Sequence, residues 1–123
     1  MNSNPMNLKI ARRELENGIA VIELGGRVAI GRDSGHIEPE VLEAIRCGAK
    51  KVILDLAAVS HIDSTGIGIM AYCFGKAAQA GTALCISGAR ANVLNVFQVT
   101  RLIKVVPFFP DVESAVQGNG RML

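Results

Sequence analysis

The chain has 123 residues, 50% hydrophobic, 20% charged and only 4% aromatic, with 13 Lys and Arg against 11 Asp and Glu for a formal charge of +2. That length accommodates one compact domain and leaves no room for a second. So small a net charge makes no general polyanion-binding surface, and with no Trp, one Tyr and four Phe there is little material for stacking on bases, so nucleic acid is not expected as a partner.

No run reaches the ~20 apolar residues that a membrane helix requires, and the opening MNSNPMN lacks the charged-then-apolar order of a signal peptide. The expectation is a cytoplasmic protein with no membrane insertion. Cys47, Cys73 and Cys85 are odd in number and widely spaced, without a C-x-x-C pair, and only His36 and His61 could help complete a metal site. They read as reduced thiols that mainly pack, and neither a metal nor a cofactor is expected. Residues 1–7 and the tail 118–123 read as disordered or flexible, leaving 8–117 as the folded unit.

Leu8 to Leu15 and Ile19 to Leu24 flank Glu16-Asn17-Gly18, and Asn-Gly suits the positive φ angles of a two-residue type I′ turn. This predicts an antiparallel hairpin. Ala20, Ile22 and Leu24 share one face of its second strand with Glu23 on the other, while Arg12 and Arg13 break the alternation of the first, which is placed at a sheet edge. Val28 to Ile30 continues the second strand. Pro39 then opens a helix with Val41, Leu42, Ile45 and Ala49 at helical spacing, Glu38, Glu40 and Glu43 near its positive end, and Gly48 as its stop. Val52-Ile53-Leu54-Asp55-Leu56 is nearly continuous apolar sequence, as in a strand of a parallel sheet covered on both faces.

From Ser64 to Ala80 the residues Ile67, Met70, Ala71, Phe74 and Ala78 form one apolar helical stripe, with Gly81 as a left-handed stop, and Thr82 to Ser87 returns as a strand. That crossover has the length of a right-handed βαβ unit. A shorter helix follows around Val93, Leu94 and Phe97, then a strand from Ile103 to Val106, then a last helix capped by Asp111 with Val112, Ala115 and Val116 inward. The fold class is α/β: a four- to five-stranded mixed sheet, antiparallel at the N-terminal hairpin and parallel beyond it, with helices mainly on one face.

One segment carries chemistry. Val59 to Gly68 links the central strand to its crossover helix at the carboxyl edge of the sheet, where open α/β sheets meet ligands and partners. Asp63 or Ser64 can cap the helix, and capping alone accounts for both. Gly66 and Gly68 are different, because glycines in a first helical turn cost about 1 kcal/mol each relative to Ala and no cap requires them. Either the helix packs closely on the sheet or a partner's backbone approaches Ser64. A hydroxyl at a helix start also suits a phosphate, whose charge of about −1.5 to −2 changes the surface without refolding the chain.

Asp63-Ser64-Thr65-Gly66-Ile67-Gly68, preceded by Val52-Ile53-Leu54-Asp55-Leu56 and the link Ala57 to Ile62, resembles the STAS family, the sulfate transporter and anti-sigma factor antagonist domains. The resemblance spans about Leu8 to Val116 and takes in Gly81, Leu84 to Ile86 and Thr100-Arg101-Leu102. It implies a stand-alone bacterial antagonist, non-enzymatic, a monomer or weak dimer acting in transcription regulation. Such a protein binds an anti-sigma factor that is itself a serine kinase, is released on phosphorylation at Ser64 (less readily Thr65), and is reset by a serine phosphatase. His61, Ile62, Asp63, Thr65, Gly66, Ile67 and Gly68 are the partner-binding positions so implied. One departure stands out: Gly26 is followed by Arg27-Val28-Ala29-Ile30-Gly31, with the first acid at Asp33, whereas many antagonists have an acid shortly after the glycine that ends the second strand.

Three rivals have less behind them. Ser64, Asp63 and His61 lie within four positions, but the side chains of a hydrolytic triad come from separate parts of a fold, and there is no G-x-S-x-G elbow. Gly26 to Gly31 has P-loop glycine spacing but lacks the Lys and Ser/Thr that hold phosphate and Mg²⁺. A regulatory subunit of a transporter ATPase, or of a larger signalling assembly, is the alternative within the same family; an exposed Phe108-Phe109 pair would favour it.

Overall fold

The computed structural model describes residues 8–28, 33–101 and 104–118; the segment 1–7 and, of the tail 118–123 expected to be flexible, all but Gly118, together with Ala29, Ile30 and Ile103, lie outside the described residues. Strand β1 (Lys9–Leu15) pairs antiparallel with β2 (Ile19–Val28), from Leu15 opposite Ile19 to Lys9 opposite Gly25. Asn17 (φ 68°) and Gly18 (φ 74°) both take left-handed backbone angles, as Asn-Gly allows at little cost. The link is nevertheless three residues, Glu16–Gly18, one longer than a type I′ turn. The Gly18 carbonyl at its end accepts from the Lys50 amide at 2.7 Å, tying the hairpin to the start of the next strand.

β2 does not show one-sided alternation. Its residues Ile19 to Ile22 are all buried, because both faces of the sheet are covered at this end. Helix α1 (Ile37–Arg46) begins two residues before Pro39, whose missing N–H falls in the first turn where no intrahelical bond is needed. It buries Ile37, Val41 and Ala44, with Leu42 and Ile45 only half-buried. Gly48 (φ 94°) then turns the chain into β3 (Lys51–Ile62).

Next come α2 (Ser64–Gln79), β4 (Ala83–Ser87), α3 (Ala91–Val99), β5 (Phe108–Phe109) and α4 (Val112–Gln117). The sheet has the order β1-β2-β3-β4-β5, parallel throughout except for the β1–β2 pair, so β1 is an edge and β3 the centre. Two expectations need correction. The strand expected to end at Val106 is not one: Val106 is buried in a bend, and the fifth strand is Phe108-Phe109, paired with Ile86 and Ser87. Phe108 sits edge-on to Phe97 with centroids 5.0 Å apart, an apolar anchor that outweighs the flanking prolines at a sheet edge. In α2 the inward stripe is Ile67, Met70, Cys73 and Ala77, whereas Ala71 and Ala78 are exposed and Phe74 is half-buried.

Helices α1, α2 and α3 cover one face, their buried residues meeting Ile22, Leu24, Leu54, Leu56 and Ile86 in the main core. Among the described residues the other face carries only α4, whose Ala115 packs with Ile19, Val21, Ile53, Cys85 and Phe109. Asp111 caps α4 by accepting from the Ser114 amide at 2.8 Å. Lys51 donates to the carbonyls of Ala115 (2.7 Å), Val116 (3.5 Å) and Gly118 (3.4 Å), placing a cation where that helix ends.

Candidate functional site at the start of α2

The segment Ala57 to Ile62, expected as a link, is the second half of β3. It stays extended because β2 accompanies it, pairing Gly25 with Ala58, Gly26 with Val59, Arg27 with His61 and Val28 with Ile62 across two register shifts. Only Asp63 separates strand from helix. Its amide donates to the Val28 carbonyl at 3.2 Å and its Oδ1 accepts from the Gly66 amide at 3.0 Å, so Asp63 is the N-cap. Ser64 is thereby the first helical residue and exposed, and the fold does not draw on its hydroxyl for capping.

The two glycines separate cleanly. A Cβ at Gly66 would lie 2.5 Å from the Val28 carbonyl oxygen and 2.7 Å from Ile62 Cγ1, so Gly66 is demanded by close packing of helix on strand. A Cβ at Gly68 would meet nothing within 4 Å. That glycine is exposed and has no internal packing reason.

Of the expected contact residues, His61 and Gly68 are exposed and Asp63 and Thr65 half-buried. Ile62, Gly66 and Ile67 are buried, seating the helix from below. His61 Nδ1 lies 3.2 Å from Ser60 Oγ, and that hydroxyl donates to the Gly26 carbonyl at 3.2 Å, so the ring nitrogen is the donor of the pair. The imidazole is thus engaged with Ser60.

Two residues of this region are not marked by any sequence motif. Ladder pairing between β3 and β4 ends at Asp55 and Ser87, and beyond it Arg90 Nε donates to the Ala57 carbonyl (3.0 Å) and Asn92 Nδ2 to the Ser60 carbonyl (2.7 Å). Arg90 reads in sequence as a loop cation and Asn92 as an ordinary first-turn residue. Asp55 Oδ1 completes the corner, accepting from the Ala57 amide at 3.2 Å and the buried Ser87 hydroxyl at 3.3 Å.

Among the described residues no group of three His, Cys, Asp or Glu is placed to hold a metal ion, and no helix is long and apolar enough to cross a membrane. Phe108 and Phe109 are both buried. What the geometry defines is a solvent-facing helix start, capped from below and flanked by small residues, on one end of a mixed sheet.

The model of the STAS domain matches residues 11–115, and the chain belongs to that family. A curated relative from Listeria monocytogenes, named anti-sigma-B factor antagonist, is 26% identical over 118 residues, covering 93% of this chain and 98% of the relative. An anti-sigma factor antagonist from Mycobacterium paratuberculosis has the same fold, with a TM-score of 0.79 at 19% identity over 94% of this chain and 97% of that one. So does the Bacillus cell fate determinant SpoIIAA in its phosphorylated form, with a TM-score of 0.70 at 19% identity over 89% of this chain and 97% of that one.

Proposed function

We propose that this chain is an anti-sigma factor antagonist: a non-enzymatic module that binds an anti-sigma factor of the serine kinase type, is released when Ser64 is phosphorylated, and is reset by a serine phosphatase, all in the cytoplasm. The observation that carries this reading is the position of Ser64. It is exposed at the first residue of a 16-residue helix whose cap is supplied by Asp63 and whose close packing is supplied by Gly66. The fold is therefore indifferent to what happens to this hydroxyl, and a partner is not. The name of the Listeria relative and the phosphorylated state of SpoIIAA support the same reading.

In the transfer, Ser64 Oγ bonds to the γ-phosphorus of ATP, the bond to ADP breaks, and the hydroxyl proton leaves to a base on the kinase. The new dianion meets the positive end of the α2 dipole, which stabilises it in place. Beside Asp63 it adds like charge to the surface, which opposes an acidic or apolar partner. Binding is switched with little change of backbone. Thr65 is the poorer acceptor because it is half-buried. Exposed Gly68, one turn along the helix, lets a partner's backbone approach the same surface.

Burial of Phe108 and Phe109 removes the feature that would favour a transporter-subunit reading. The engagement of His61 with Ser60 likewise favours binding over hydrolysis. The test is incubation with ATP and candidate kinases, mapping phosphate by mass spectrometry, alongside binding of Ser64→Ala and Ser64→Asp. Phosphate on Ser64, binding retained by Ser64→Ala and weakened in Ser64→Asp are expected. No phosphate, with equal binding by both variants, sinks the switch; ester turnover abolished by Ser64→Ala would overturn the non-enzymatic reading.

A further inference from the structure

A strand inside a parallel sheet has neighbours on both edges. Among the described residues β3 has them only as far as Asp55, where its ladder with β4 ends, while its other edge stays paired with β2 up to Ile62. The half of β3 that leads into Ser64 is thus an edge strand, and an open edge frays or recruits a foreign strand. Here its two carbonyls at Ala57 and Ser60 are taken by Arg90 Nε (3.0 Å) and Asn92 Nδ2 (2.7 Å), from the residues that open α3. The loop can come this close because position 88 is glycine: with φ 72°, its Cβ would stand 3.0 Å from Ala57 Cβ and 3.1 Å from Asp55 Oδ1.

We propose that Arg90 and Asn92 are positioning residues for Ser64, standing in for the missing β4 ladder and fixing the height of the α2 start. The chain of connection is short. Asn92 holds Ser60; two residues on, Ile62 lies under Gly66; and Asp63, clamped to the Val28 carbonyl, caps the helix on which Ser64 is first. With the tethers in place the strand is held on both edges, and the hydroxyl is presented in one place. Without them it hangs on β2 alone. The same tethers couple the openings of α2 and α3, so a partner that presses on Arg90 or Asn92 displaces the serine. This deepens the phosphorylation reading above and rests on it.

Amide hydrogen exchange followed by NMR on the unphosphorylated chain tests the geometry, and phosphate incorporation by the kinase tests the use made of it. In Asn92→Ala and Arg90→Ala, exchange at Asp63 and Gly66 speeds up by about 5- to 10-fold, the effect of losing one ordinary hydrogen bond, while Val52 to Leu54 keep wild-type protection. The variants lower kcat for Ser64 phosphorylation several-fold with little change in KM, and Asn92→Gln, which keeps the amide donor, recovers much of the rate. Unchanged exchange at Asp63 and Gly66, or faster exchange spread equally over Val52 to Leu54, overturns the positioning role. Absence of phosphate on the wild-type chain is a different outcome: it refutes the switch, whatever the exchange shows.

Discussion

Replacing Gly66 and Gly68 separately by alanine should move stability in opposite directions. At Gly66 the new methyl would stand 2.5 Å from the Val28 carbonyl oxygen, 2.7 Å from Ile62 Cγ1 and 2.9 Å from Val28 Cγ1. That carbonyl is backbone within the paired part of β2 and accepts the Asp63 amide, so it cannot swing aside as a side chain would. The helix start must lift instead. Overpacking of this kind costs about 1–3 kcal/mol, and stretching the Asp63 bond about 1 kcal/mol more, against about 1 kcal/mol gained in helix propensity. The net is about 1–3 kcal/mol of destabilisation. For 123 residues the unfolding entropy is about 0.26 kcal/mol per kelvin, so Tm falls by about 4–12 °C. Gly68→Ala meets open space and keeps only the propensity gain, raising Tm by about 2–4 °C while weakening partner binding. Thermal unfolding followed by circular dichroism distinguishes the two. A Gly66→Ala variant melting at or above wild type, or a destabilised Gly68→Ala, would refute the division of labour between these glycines.

Two further expectations concern groups far from Ser64. The Ser114 backbone and side chain hold the Asp111 carboxyl below its ordinary value, so its charged form is favoured in the folded chain; its contribution to α4 is present above pH about 3.8 and is lost as pH falls through the lowered folded value. The protection of the Ser114 amide relative to its intrinsic exchange rate should therefore fall with acid below that point, and Asp111→Asn should remove this pH dependence. Among the thiols, burial pushes Cys73 up to about 12 and Cys85 up to about 11, whereas exposed Cys47 is raised chiefly by its hydrogen bond to Glu43. A disulfide reagent at pH 8 should consume one thiol in the folded chain and three after denaturation, with Glu43→Gln speeding the first reaction.

Much of this molecule can be read from local sequence because local forces decide it. Asn17-Gly18 specifies the reversal between β1 and β2, Asp111 specifies the start of α4, and the apolar run from Val52 requires a strand covered on both faces. The site is set by non-local contacts. Ala57, Ala58, Ser60 and His61 carry little apolar periodicity, and they form strand only because β2 runs beside them. The fifth strand lies at Phe108-Phe109 instead of the expected Ile103 to Val106, because Pro107 and Pro110 obscure it locally and the contact between Phe108 and Phe97 forms only in the assembled core. Gly66 and Gly68 look alike in sequence; what tells them apart is the Val28 carbonyl, distant along the chain. Arg90 and Asn92 act on backbone atoms more than thirty residues away, and no spacing rule signals such a bond.

β3 is 12 residues long, roughly 35 Å of rise, and crosses the whole molecule. Its first residue, Lys51, grips the Gly118 carbonyl where the chain leaves α4, and its last lies one residue short of the α2 cap. The two ends of the described chain are therefore unequal. Lys9 enters the sheet opposite Gly25, level with Ala58 and four residues from the end of β3, on the side of the serine. The described chain thus leaves the sheet region at Gly118 by the pole of β3 opposite Ser64, and joins the sheet at Lys9 level with the half of β3 that leads into Ser64.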